Sequence, residues 1–129
     1  ERLALTLHAL QTHTRRIILL TQPPLLPPSA ERSAIRAGSR PPFFEAAADR
    51  DLRQQCNNSV KKMSGSGIDV LDIDPLFTNP DGGILTITPA GRDVFHDKVH
   101  LSTDGAALLT PLLDPLLTPP QSAAPLSLP

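Results

Sequence analysis

Leu3, Leu7 and Leu10 recur at helical spacing, with Leu5 and Ala9 beside them. This pattern predicts a helix over Arg2–Gln11. Arg15 and Arg16 then give way to Ile17-Ile18-Leu19-Leu20, a run with no polar face. Such a run fits a strand covered on both sides, as in a parallel sheet, and Gln22-Pro23-Pro24 ends it. From Phe43 to Met63 the positions Phe44, Ala47, Ala48, Leu52, Gln55, Cys56 and Val60 fall on or near one stripe. They predict the longest helix, its stripe inward and Glu45, Asp49, Arg50, Arg53 and Lys61 on a solvated face. Ser64-Gly65-Ser66-Gly67 stops that helix. Ile68–Ile73 reads as a second strand, closed by Asp74-Pro75. Helix and buried strand in alternation indicate an α/β fold.

The rest of the chain is less regular. Residues 25–42 are rich in Pro, Ser and Arg and read as a long surface loop, with one helical turn near 30–37. Asn79-Pro80-Asp81-Gly82-Gly83 is turn chemistry. Ile84–Thr88 alternates weakly, and Pro89–Arg92 forms the tip of a hairpin whose second arm is Asp93–Phe95. That arm would carry the following residues to the edge of the sheet. Ser102 or Thr103 caps a final helix over Asp104–Leu117, with Asp104 complementing its positive end. Pro111 and Pro115 each remove a helical N–H, so the helix should kink or stop near Thr110. Residues 118–129 carry no charge and no period, and read as a disordered tail.

Composition narrows the function. The 129 residues suffice for one small domain, 40% of them apolar. There are four Phe but no Trp or Tyr, so aliphatic side chains should dominate the packing. Fifteen prolines mark loops and the tail. A formal net charge of −1 provides no basic field for nucleic acid. No apolar run approaches the roughly 18 residues of a membrane span, and no signal-peptide pattern is present. The single cysteine, Cys56, excludes an intrachain disulfide and a cysteine-built zinc site. It is either a half-buried helix thiol or the partner of a cysteine outside this sequence.

The densest chemistry lies in Asp97-Lys98-Val99-His100-Leu101-Ser102-Thr103-Asp104-Gly105-Ala106-Ala107. A carboxylate three residues before an imidazole can form an acid–base pair. His100 would be the general base that activates a hydroxyl nucleophile. Asp97 would hold its tautomer and stabilise the imidazolium. Read singly, they are a loop histidine and a solvated acid. His96, Asp97 and His100 also raise a metal site, but a structural zinc wants four well-placed ligands. Ser102 reads as a helix cap and Gly105 as a point of close packing. Asp69, Asp72 and Asp74 could suggest paired carboxylates. Their alternation along a strand that ends in Asp-Pro favours structural roles. His8 and His13 read as solvated.

The Asp-x-x-His-Leu-Ser-x-x-Gly-Ala block resembles the last block of the SGNH (GDSL-like) hydrolases. It is most similar to the SGNH domains fused to integral-membrane O-acyltransferases. Arg16–Pro24 (RRIILLTQPP) looks like the family's central strand and Gln-x-Pro loop. Ile68–Phe77 (IDVLDIDPLF) looks like its later strand and Asp-Pro block. The resemblance spans Leu3–Leu117. The family's Gly-Asp-Ser nucleophile block and Gly-x-Asn-Asp oxyanion block do not occur here, and Ser64-Gly65-Ser66-Gly67 is a poor imitation.

The resemblance therefore implies the C-terminal portion of an α/β three-layer sandwich with a mostly parallel, flavodoxin-like sheet. Residues 1–117 would form that portion, and residues 118–129 the tail. It implies ester hydrolysis or O-acyl transfer, most plausibly of O-acetyl groups, on a carbohydrate. His100 and Asp97 would be catalytic, the serine would lie outside this sequence, and no cofactor or metal would be needed. The implied partners are an acylated carbohydrate or other ester, the N-terminal half of the domain and a membrane acyltransferase domain, without nucleic acid. The implied location is periplasmic, extracytoplasmic or membrane-associated. The alternative is a non-catalytic SGNH-like binding or structural module.

Overall fold

The computed structural model describes residues 2–31, 35, 36 and 38–117. The tail, residues 118–129, lies outside the described residues, as does part of the turn expected at 30–37. Four α-helices and two strands are defined among those described: α1 (Arg2–Gln11), β1 (Ile17–Leu20), α2 (Ala47–Lys61), β2 (Ile68–Leu71), α3 (Thr103–Ala107) and α4 (Thr110–Leu117). The strands pair in parallel, with Ile17 opposite Ile68 and Leu20 opposite Leu71. Parallel neighbours cannot be joined by a tight turn, so a helical crossover is needed, and α2 lies within this connection. The two runs thus pair in parallel, and the chain is α/β, but the expected cover on both faces is absent among the described residues: no residue of either strand is buried, and Leu20 is exposed. Ile17 N–H also donates to Gly67 O, starting the pairing at the N-terminal end of the sheet.

β2 ends earlier than the sequence suggests. Ile73 has turned to helical dihedrals, and its N–H donates to Thr21 Oγ1 at 2.9 Å. Ile84–Thr88 does not add a strand to the sheet. Ile84 instead bridges Thr78, Ile87 bridges Asp93, and Ile84 N–H donates to Phe43 O. Its backbone partners lie in loops, so the expected hairpin survives only as short bridges.

The largest correction concerns α2. The helix begins at Ala47, not Phe43, because Phe43 and Glu45 are drawn into the interior ahead of it. Its inward residues are Arg53 and Asn57, while Ala47, Ala48 and Cys56 are exposed and Leu52 keeps 63% of its surface. Cys56 is thus an exposed free thiol rather than a half-buried one. The polar face turns inward because the chain leaving β1 presents backbone groups that need partners. Asn57 answers both groups of Gln22: Oδ1 accepts from its N–H at 2.8 Å, and Nδ2 donates to its carbonyl at 3.0 Å. Glu45 Oε1 accepts from Leu25 N–H at 2.9 Å. Arg53 clamps Glu45 through Nε at 3.0 Å to each oxygen and Nη2 at 2.8 Å to Oε2. The same guanidinium reaches Asp74 at 2.8 Å, beyond the end of β2.

The main apolar cluster comprises Leu26, Ala30, Phe43, Ile73, Phe77, Ile84, Val94 and Phe95. None of these belongs to a strand or an α-helix. The fully buried core is therefore built from the loops, with Leu71 of β2 and Leu112 of α4 packed against it. Phenylalanine carries more of it than the low aromatic content suggests: Phe77 and Phe95 meet edge to face, centroids 6.1 Å apart. On α1 only Leu7 is buried, and Leu3, Leu5 and Leu10 stay exposed.

The C-terminal helix breaks just ahead of Pro111, whereas Pro115 lies inside the helix that follows. Ser102 Oγ accepts from Gly105 N–H at 2.9 Å and caps α3. After Leu108 and Leu109 the chain restarts as α4, with Pro111 in its first turn, where no N–H is needed. Arg16 ties α4 to the sheet by donating to Leu116 O at 2.7 Å and to Asp69 at 2.6 Å.

Candidate active site

Between Phe95 and Leu101, which bridge one another, the chain makes a tight loop. His96 N–H donates to His100 O at 2.8 Å across its base. Asp97 organises the interior of this loop. Its Oδ1 accepts from the N–H of Val99 and of His100, each at 2.9 Å, a turn that short acidic side chains favour. The same carboxylate meets His100 Nδ1, 3.0 Å from Oδ1 and 2.8 Å from Oδ2. Three residues of separation suffice because the backbone folds back on the side chain.

The Val99 N–H, followed by the His100 side chain and N–H, holds the Asp97 carboxyl down from 3.8 to about 2. It is a charged acceptor throughout the physiological range. A charged acceptor at Nδ1 favours the tautomer with its proton there, which leaves the Nε2 lone pair to accept one. The imidazole has 73% of its surface exposed, so a partner can approach it.

Two supports fix the loop. From behind, Leu26 N–H donates to Lys98 O at 3.0 Å, and Lys98 Nζ lies 3.4 Å from Asp49 on α2. On the C-terminal side, Ser102 N–H donates to Val94 O at 2.9 Å and Ser102 Oγ donates to Asp93 O. Gly105 makes that packing possible: a Cβ there would lie 1.9 Å from Val94 O. A cavity of about 980 Å³ opens beside the loop, with Leu26, Phe43, Ile87, Phe95, Asp97 and Val99 among its lining.

His96 lines that cavity, apart from the Asp97–His100 contact. Among the described residues no cluster of three or more His, Cys, Asp or Glu is placed to hold a metal. The acidic cluster disperses into separate contacts. Asp69 pairs with Arg16, Asp72 with Lys61 and Thr21, and Asp74 with Arg53. Burial raises the Asp72 carboxyl, but Lys61 and Thr21 outweigh it and hold the group below its ordinary value. Ser64 and Ser66 lie beside Gly65 and Gly67, at the N-terminal end of the strands. The Asp97 loop is tethered at Leu26, past the opposite end of β1. The sequence reading missed Glu45 and Arg53: only the unusual burial of two charges exposes them, and charge pattern alone placed them in solvent.

A family model described as "SGNH domain (fused to AT3 domains)" matches residues 1–115. No curated protein matches, and no solved structure matches. Among the described residues no helix is long and apolar enough to cross a membrane.

Proposed function

The chain belongs to the family of SGNH domains fused to AT3 domains, a hydrolase-type family tied to acyltransferases, and we propose that His100 and Asp97 are its base and orienting acid. On this reading residues 1–117 are the C-terminal portion of a three-layer α/β domain, and the nucleophilic serine comes from outside the sequence. The observation that supports it is the bidentate Asp97 contact to His100 Nδ1, which leaves Nε2 facing an open approach.

The reaction is transfer of an acyl group, most simply acetyl, from a carbohydrate ester. The serine Oγ attacks the acyl carbonyl while His100 Nε2 takes its proton. The tetrahedral adduct collapses, the C–O bond to the alcohol breaks, and His100 returns the proton to that oxygen. Water or an acceptor hydroxyl then repeats the sequence in reverse and frees the serine. Asp97 stabilises the imidazolium in both halves. Backbone N–H groups supply the oxyanion contacts. A membrane acyltransferase domain would deliver or receive the acyl group.

Labelling of the intact protein by a fluorophosphonate probe tests this. The wild type should label and hydrolyse 4-nitrophenyl acetate. His100→Ala should lose turnover, and Asp97→Asn should lose about 1,000-fold or more because the tautomer is no longer fixed. Wild-type turnover in a folded His100→Ala protein would refute the assignment. A second reading, a non-catalytic module, draws on one observation: among the described residues no hydroxyl is hydrogen-bonded to His100. An intact wild-type protein that neither labels nor turns over ester would favour it.

A further inference from the structure

The Glu45–Arg53 pair has side chains only 4% and 5% exposed. Removing two charges from water is costly, and apolar replacements are often as stable or more so. Such a pair is therefore better explained by the geometry it imposes. Arg53 holds three separate pieces of backbone or side chain. It clamps Glu45, reaches Asp74 past β2, and donates through Nη1 to Gln22 O at 3.3 Å. Glu45 in turn takes the Leu25 N–H at 2.9 Å. The next N–H along the chain, that of Leu26, is given to Lys98 O within the Asp97–His100 loop. Two adjacent amides thus join the buried pair to the candidate base.

We propose that Glu45 and Arg53 are positioning residues for His100: they fix Leu25 and Leu26, and Leu26 fixes the loop through Lys98. The inference rests on the reading of His100 and Asp97 given above. Neither residue touches the reacting atoms. Arg53 pins the segment leaving each strand, so the loop is registered against both strand ends. No flexible link lies between the clamp and Leu26, since Leu25 and Leu26 are consecutive. A shift of order 1 Å at a base can cost about 100-fold in rate.

The test uses the intact protein and two conservative variants, Arg53→Lys and Glu45→Gln, each checked for a cooperative unfolding transition above the assay temperature. Turnover of 4-nitrophenyl acetate should fall about 10- to 100-fold in kcat, with KM within about twofold. The loss should shrink to less than about threefold when the same change is made in Asp97→Asn, because that protein has already lost the orientation being protected. ¹⁵N-detected imidazole spectra of His100 should show the Nδ1-protonated tautomer giving way to a mixture. Unchanged kcat and unchanged His100 spectra in folded variants would overturn the proposal. So would an equal loss in both backgrounds, which denotes general damage. Full turnover in His100→Ala would instead remove the underlying reading, whatever Arg53→Lys does.

Discussion

Two carboxylates in this protein each hold a nitrogen base, and they do so in opposite surroundings. Asp97 and His100 meet on an exposed loop, three residues apart, with the partners of the Asp97 carboxylate drawn from its own neighbours Val99 and His100. Glu45 and Arg53 meet in the interior, eight residues apart, with partners at Gln22, Leu25 and Asp74. The first pair is accessible, with 73% of the imidazole side chain exposed. The second is enclosed around a guanidinium that does not titrate near neutral pH. On the proposed reading the contrast separates two uses of charge: the exposed pair serves chemistry, and the buried pair serves geometry.

The sharpest way to break the comparison is to remove one buried partner. Arg53→Met would leave Glu45 uncompensated, and the protein should lose about 3–5 kcal/mol in denaturant unfolding. A loss below about 1 kcal/mol would mean that the pair is not isolated from water. Gly105→Ala comes next. Its Cβ would strike backbone, which cannot rotate away, so a loss of about 3 kcal/mol is expected by thermal unfolding, together with displacement of Ser102 and its cap.

Acid probes the exposed pair. Asp97 has a carboxyl lowered from 3.8 to about 2, so its contribution is complete above the ordinary value. It is lost as pH falls through the folded one. The Val99 and His100 amide resonances should therefore show a carboxyl-linked step centred near pH 2. Movement centred near 3.8 would show that the turn does not stabilise the carboxylate. The smallest effect is expected at the half-exposed Lys98–Asp49 contact. Asp49→Ala should change stability by less than about 1 kcal/mol. A larger loss would mean that this tether, rather than Leu26, carries the loop.

What could be read from the sequence follows the distance between partners. Ile17–Leu20 and Ile68–Leu71 announce themselves as strands because short β-branched, mostly apolar runs suit a pleated sheet, although neither is buried as a run without a polar face would suggest. Asp97, His100, Ser102 and Gly105 are legible because each acts on groups within a dozen residues, where the backbone geometry of a turn or cap dictates the residue type. Pro111 opens α4 for the same local reason. The inward face of α2 is different. Its apolar stripe at Phe44, Ala48 and Leu52 satisfies helical periodicity and is nonetheless exposed. Arg53 and Asn57 look like solvent residues and are buried. Hydrophobic pattern records which face could be covered, whereas the partner actually met depends on unpaired backbone at Gln22 and Leu25, delivered by the path of another segment. That pairing is a property of the assembled chain, and only the tertiary structure decided it.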